Sequence, residues 1–279
     1  MLRVYGDESY DEKAVRVCAV AGLLGAPEDW ATVEAKWLET TNGRPFHATE
    51  WETEFVNDPD RSKHRQNLKT YAKLAKVLAD SNLMGFGAVM DLQGWRVQIP
   101  ASDNLAHSAY YRCFSEVVIY FGRIARLSIP PTKVEFVFDR NLECEVTAHE
   151  LYAVMAKSTD WLAGEWLAEK ISSATIATPG IQMADLLSRE SMKYLDNQIG
   201  PTKRRIRASL EAMMSAKRFR IEVYSPEHSQ NIVNAIRGNE ALSEMSAQNY
   251  QKWLQRKRTT DTMRNRVRFL NDQQPRAKG

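Results

Sequence analysis

The chain has 279 residues, of which 43% are hydrophobic and 26% charged, enough for one substantial core or a core with a smaller appendage. No apolar run approaches the roughly 20 residues that a membrane span needs, so a membrane partner is not expected. The net charge of +3 conceals an asymmetry: residues 201–279 carry 17 Lys and Arg against 7 Asp and Glu, whereas the preceding residues carry 21 against 28. An acidic body with a basic C-terminal third suits a polyanion held near carboxylate-bound metal, although a solvated basic tail that aids solubility is the plainer alternative. Arg3, Asp7 and Glu8 interrupt the N-terminus, which reads as a strand and not as a secretion signal. Cys18, Cys113 and Cys144 show neither paired nor zinc-ligand spacing, so reduced thiols in a cytoplasmic protein are expected.

In chain order, Leu2–Tyr5 and Val15–Leu24 read as buried strands joined by a polar hairpin loop over Asp7–Lys13. Pro27, Glu28 and Asp29 suit the start of a helix over about Glu28–Thr40, with Trp30, Val33, Trp37 and Leu38 at helical spacing. Phe46–Glu50 is short and ambiguous. A long helix is expected over Arg61–Asn82, with Leu68, Tyr71, Leu74, Ala75 and Leu78 as its buried stripe. Met84–Met90 reads as a strand ending on Asp91. Leu105–Leu127 reads as an aromatic-rich helix, broken by Pro130 and Pro131. Val134–Phe138 is apolar at nearly every position, as a central strand should be. Helices over Glu145–Ala156 and Ile181–Leu195 flank a strand at Ser172–Ala177. Adjacent strands first, then alternating helices and strands, predict an α/β fold with a mixed sheet. From about Pro201 the chain reads as basic and partly helical, with a mobile end from about Arg256.

Acidic residues at predicted strand ends carry the chemistry. Carboxylates leaving buried strands are costly unless they bind something, and a cation is the usual partner. Asp7 follows the first strand and Asp139 the central one, at the strand ends where open α/β sheets place ligands. Each is also compatible with an ordinary turn. Glu8 falls on the opposite face of an extended strand and ranks below Asp7; Asp91 is a reserve. On the late helix Gln182, Asp185 and Arg189 share one face of an otherwise apolar segment. There Asp185 is a candidate ligand supported by Gln182, and an Asp185–Arg189 pair is the structural alternative. His47 and Glu50 stand three apart, with Glu50 favoured because oxygen ligands match the other carboxylates. Phosphate-cradling glycine loops, a nucleophile elbow and cysteine zinc spacing are absent.

Gly6-Asp7-Glu8-Ser9, His47-Ala48-Thr49-Glu50, Phe136-Val137-Phe138-Asp139 and Gln182-Met183-Ala184-Asp185-Leu186-Leu187 together resemble the bacterial and phage family called domain of unknown function 3800, over about residues 1–195. The resemblance implies a ribonuclease H-like fold: a mixed sheet flanked by helices, with acidic residues converging at one edge to hold two divalent metals. A catalytic domain is expected over residues 1–200, and the basic region over 201–279, outside the motifs that carry the resemblance, reads as a basic helical extension with a mobile tail. The resemblance also implies a Mg²⁺- or Mn²⁺-dependent nuclease whose metal ligands are Asp7, Glu50, Asp139 and Asp185, with Glu8, Gln182 and His47 in support. Lys203, Arg204, Arg205 and Arg207, together with Lys252, Arg256, Lys257 and Arg258, are the expected contacts to a nucleic-acid backbone. The rival expectations are a catalytically silent nucleic-acid-binding or interaction module and a nucleotide phosphohydrolase.

Overall fold

The computed structural model describes residues 1–98, 105–140, 144–157 and 163–225. Six strands form one mixed sheet: β1 (Leu2–Tyr10), β2 (Val17–Gly25), β3 (Met84–Asp91), β4 (Val134–Asp139), β5 (Ser172–Ala174) and β6 (Phe219–Tyr224), in the order β5-β4-β1-β2-β3-β6. Strands β1, β2 and β3 form an antiparallel meander, whereas β4 runs parallel to β1, β5 parallel to β4 and β6 parallel to β3. The architecture is therefore α/β with a mixed sheet flanked by helices, as the order of predicted elements implied.

Period-two alternation sorts the strand residues between two faces. Val4, Val20, Phe86 and Phe136 pack beneath α5 (Leu105–Leu127) and α6 (Glu145–Lys157). Tyr5, Ala21, Leu23 and Val137 pack on the other face. That face is covered by α1 (Pro27–Thr41), α2 (Ala48–Thr53), α3 (Ser62–Asp80), α7 (Pro179–Ile199) and α8 (Ala208–Ser215), while α4 (Leu92–Gln98) follows β3. Helix α7 lies close against the sheet because glycines let it. A Cβ on Gly180 would stand 2.3 Å from the Tyr5 ring, and one on Gly87 of β3 would stand 2.3 Å from Ser191 Oγ.

Several expectations need correction. Strand β1 does not end at Tyr5 but continues to Tyr10, because the small and apolar residues of β2 pair with it as far as Tyr10↔Cys18. The turn lies further on. Asp11 builds it, its Oδ1 accepting hydrogen bonds from the backbone N–H groups of Val15, Arg16 and Val17 at 3.0, 2.8 and 2.9 Å. In α3 the buried side is shifted: Leu68 is exposed, while Asn67, Thr70 and Tyr71 are buried with Leu74, Ala75 and Leu78. Leu38 of α1 is likewise exposed. Strand β5 stops at Ala174, three residues short of its expected end.

The compact unit spans Met1–Pro226, so it passes the boundary expected at residue 200 and takes in α8 and β6. Strand β6 reads FRIEVY, and the basic setting masked a short strand signal that pairing with β3 brings out. The expected phosphate contacts Lys252, Arg256, Lys257 and Arg258, and the mobile end, lie outside the described residues. Among the described residues no helix is long and apolar enough to cross a membrane.

Candidate functional site

Three aspartates from three elements meet on the α7 side of the sheet. Along the parallel β1–β4 ladder, Tyr5 stands opposite Val137 and Gly6 opposite Phe138, so the next step sets Asp7 beside Asp139. Neighbouring strands lie about 5 Å apart, and the alternation that puts Tyr5 and Val137 under α7 puts both aspartates there too. Asp139 closes β4, as expected. Asp7 instead lies within β1, opposite Ala21 of β2, and is buried. The third carboxylate, Asp185, is buried on α7, and its Oδ2 accepts the Ala48 N–H at 2.7 Å.

Electrostatics tie the three together. The Asp7 carboxyl is held well above the ordinary carboxylate range, first by burial and then by the negative charges of Asp185, Glu8 and Asp139. Burial also raises Asp139, with Arg140 N–H and His47 acting in the opposite sense. Asp185 is pushed up to about 6, chiefly by burial and additionally by Asp139, while the Ala48 N–H, His47 and Arg189 favour its ionised form. None of the three aspartates forms an ion pair with a described residue. An acidic set with two buried members, Asp7 and Asp185, and no ion-pair partner among the described residues is costly.

The surrounding residues divide into supports and bystanders. Gln182 is buried and fully engaged: its Oε1 accepts the Trp37 Nε1–H at 2.9 Å and the Phe46 N–H at 3.1 Å, and its Nε2 donates to Ile176 O at 2.8 Å. It therefore fixes the Phe46–Ala48 segment against α7, which sets the Ala48 N–H on Asp185. His47 is exposed at the N-cap of α2, where its charge favours the ionised forms of Asp139 and Asp185. Glu8 lies on the opposite face of β1, as the alternation predicted, where burial first and then its charge raise the Tyr10 and Tyr110 hydroxyls. Glu50 is exposed on α2, and its carboxylate makes no hydrogen bond or ion pair with a described residue, so nothing ties it to the aspartates. Asp91 caps α4, accepting the N–H groups of Gln93 and Gly94 at 2.9 and 3.3 Å, and leaves the candidate set.

Sequence reasoning missed a second charged cluster behind the first. Arg189 does not pair with Asp185. Its Nε and Nη2 donate to Glu52 Oε2 at 3.1 and 2.8 Å. Arg207, expected to face a polyanion, also turns inward: it pairs with Glu52, lies 3.4 Å from Glu190 Oε1 and covers the Tyr71 ring at 5.2 Å. Tyr71 in turn donates to Glu190 Oε1 at 2.7 Å. Ile206 and Arg207 follow three exposed cations, and only the start of α8 just after them hinted that Arg207 would be drawn in. Lys203, Arg204 and Arg205 are exposed.

The donor chemistry suits a hard cation, since carboxylate oxygens are what Mg²⁺ and Mn²⁺ take. Asp7, Asp139 and Asp185 are the residues that would hold one. Among the described residues no group of three or more His, Cys, Asp or Glu is arranged to hold a metal ion. No protein-family model matches the chain, and no curated protein matches it.

Proposed function

We propose that the chain is a divalent-metal-dependent nuclease that hydrolyses phosphodiester bonds of nucleic acid, on a ribonuclease H-like fold. The observation that carries this reading is the convergence of buried Asp7 and Asp185 with half-buried Asp139, from a central strand, a facing helix and the parallel neighbour strand, without an ion-pair partner among the described residues. A mixed sheet with acidic residues gathered at one edge is also what the resemblance to domain of unknown function 3800 implies. Bound Mg²⁺ or Mn²⁺ supplies the Lewis acidity and the activated water that phosphodiester hydrolysis requires. The chain's own residues hold the carboxylates in place. The β1–β4 ladder fixes Asp7 against Asp139, while the Ala48 N–H orients Asp185. The His47 side chain stands near Asp139 and Asp185 and is suited to meet a phosphate oxygen. Exposed Lys203, Arg204 and Arg205 are suited to the backbone of the substrate.

The test is cleavage of labelled single-stranded, duplex and hybrid substrates with Mn²⁺, alongside nucleoside phosphates. Asp7→Asn and Asp139→Asn should each abolish hydrolysis and spare binding. Cleavage that survives in both variants or in excess EDTA would sink the nuclease reading. Binding without cleavage by the wild type would mark a silent binding module, and turnover of the small phosphates alone a nucleotide phosphohydrolase.

A further inference from the structure

Helix α3 carries a row of cations that the acidic site does not use. Arg65, Lys69 and Lys73 are exposed and stand at i, i+4 and i+8. Each step of four residues advances about 6 Å and turns only about 40°, so the three charges form a gently winding line. None of them forms an ion pair with a described residue. The helix's one acidic residue, Asp80, is taken by Lys76 at 3.0 Å. Like charges at this spacing disfavour a helix, and a merely solvated face gains from alternating signs instead. The row is thus a local cost, relieved at its Arg65 end by the charge of Asp60.

Two further observations place the row. At its N-terminal end is a hollow of about 440 Å³ lined by Pro59, Asp60, Arg61, His64 and Arg65. The Ser62 N–H and hydroxyl hold Asp60 there at 2.9 and 2.7 Å, and its single negative charge is outnumbered by Arg61 and Arg65. The first turns of α3 are also tied to α2: Asn67 Nδ2 donates to Glu54 Oε2 at 3.1 Å, and His64 Nδ1 lies 3.1 Å from Glu54 O. Helix α2 begins with the N–H that binds Asp185. The row therefore starts one short helix away from the carboxylates and on the same side of the sheet. Arg207, seated over Tyr71, anchors the chain that carries Lys203, Arg204 and Arg205 beside the middle of α3.

We infer that α3 is a phosphate-binding ridge, in which Arg65, Lys69 and Lys73 hold the sugar–phosphate backbone of a nucleic-acid strand that runs past the acidic site, without reading its sequence. The inference rests on the nuclease reading for the nature of the polyanion. Charge repetition at the scale of successive phosphates, leading into a basic hollow, favours a backbone over an acidic protein surface.

The test uses the full chain carrying Asp7→Asn, in EDTA. Binding of a labelled single strand and of its duplex is followed by fluorescence anisotropy across a KCl series. Adding Arg65→Gln, Lys69→Gln and Lys73→Gln should weaken binding at every salt concentration and flatten the slope of log K against log salt by about 2, since each lost phosphate contact removes about 0.7 to 0.9. A control with Lys36→Gln, Lys133→Gln and Lys170→Gln, exposed elsewhere, should leave the slope unchanged. An unchanged slope in the α3 variant, or an equal loss in the control, overturns the ridge. So does competition by polyglutamate that matches single-stranded DNA charge for charge, which points to an acidic protein. If the triple variant does not fold, Lys69→Gln alone must still lower the slope by about 0.7 to 0.9. Wild type that binds through the ridge yet cleaves nothing keeps the ridge and removes the nuclease reading; cleavage with an unchanged slope does the reverse.

Discussion

Replacing Asp185 by asparagine should make the metal-free protein more stable at neutral pH, although it removes a residue from the centre of the site. The Asp185 carboxyl is pushed up to about 6 from an ordinary value of 3.8, mainly by burial. A raised carboxyl means that the folded state holds its proton more tightly than the unfolded state does. Stability is then lost as pH rises from the unfolded value near 3.8 through about 6, and is level above that. About 2 units at about 1.4 kcal/mol each give a penalty of about 3 kcal/mol at pH 7.5, and almost none at pH 3.5. Asparagine still offers an oxygen to the Ala48 N–H and cannot ionise, so Asp185→Asn removes the penalty and with it a repulsion felt by Asp7. For a unit of this size, about 3 kcal/mol corresponds to a rise in Tm of roughly 6–12 °C. Thermal melts by circular dichroism in EDTA, at pH 7.5 and pH 3.5, read the effect directly. A lower Tm at pH 7.5, or an equal gain at both pH values, would refute the claim that Asp185 is held as a strained carboxylate.

Two supports of the site carry predictions of the opposite sign. Gln182→Ala leaves the Trp37 Nε1–H and Phe46 N–H buried without acceptors and the Ile176 carbonyl without a donor. With about 1–3 kcal/mol for each stranded group, urea unfolding should show a loss of at least about 3 kcal/mol. Glu52→Gln uncouples Arg189 and Arg207 and should cost about 3 kcal/mol at pH 7. Burial would raise the Glu52 carboxyl, yet Arg207 and Arg189 outweigh it and hold the group below its usual range. Its stabilisation is therefore present above the unfolded value near 4.5 and fades as pH falls through the lower folded value. Wild type and Glu52→Gln should accordingly converge in acid; a difference that persists to pH 3 would count against the ion pairs as its source.

What the sequence made legible follows from how local each signal is. The helices over 105–127 and 145–157 and the strand at Val134–Asp139 are continuous periodic or apolar runs, and the structure places them within a residue or so of the expected ends. Asp139 and Asp185 could be singled out because apolar neighbours on their own element made a carboxylate conspicuous. Asp7 was found for a reason the structure revises: it is not a strand-end residue but lies within a strand that β2 prolongs, and Gly6-Asp7-Glu8-Ser9 taken alone reads as a turn. The Glu52–Arg189–Arg207–Glu190 cluster was not legible at all. Glu52 is more than 130 residues from its partners, and no single segment records that Arg207 is folded over Tyr71 and not offered to solvent.

The two charged clusters on the α7 side of the sheet explain one another. In the rear cluster every cation meets an anion: Glu52 takes both arginines, and Tyr71 and Arg207 share Glu190. Arg189 is one turn from Asp185 on α7 and near enough to favour its ionised form, yet its guanidinium is held by Glu52. Had Arg189 swung onto Asp185, that carboxylate would have been neutralised from within the fold and its raised proton affinity brought down. Glu52 thus keeps a neighbouring cation away from the acidic set while anchoring α2, the helix whose first N–H orients Asp185. A chain shaped for stability alone has no reason to withhold that partner. A chain that keeps Asp7, Asp139 and Asp185 open to an external cation, as the proposed function requires, does, and the stability forgone at Asp185 is the measurable trace of that arrangement.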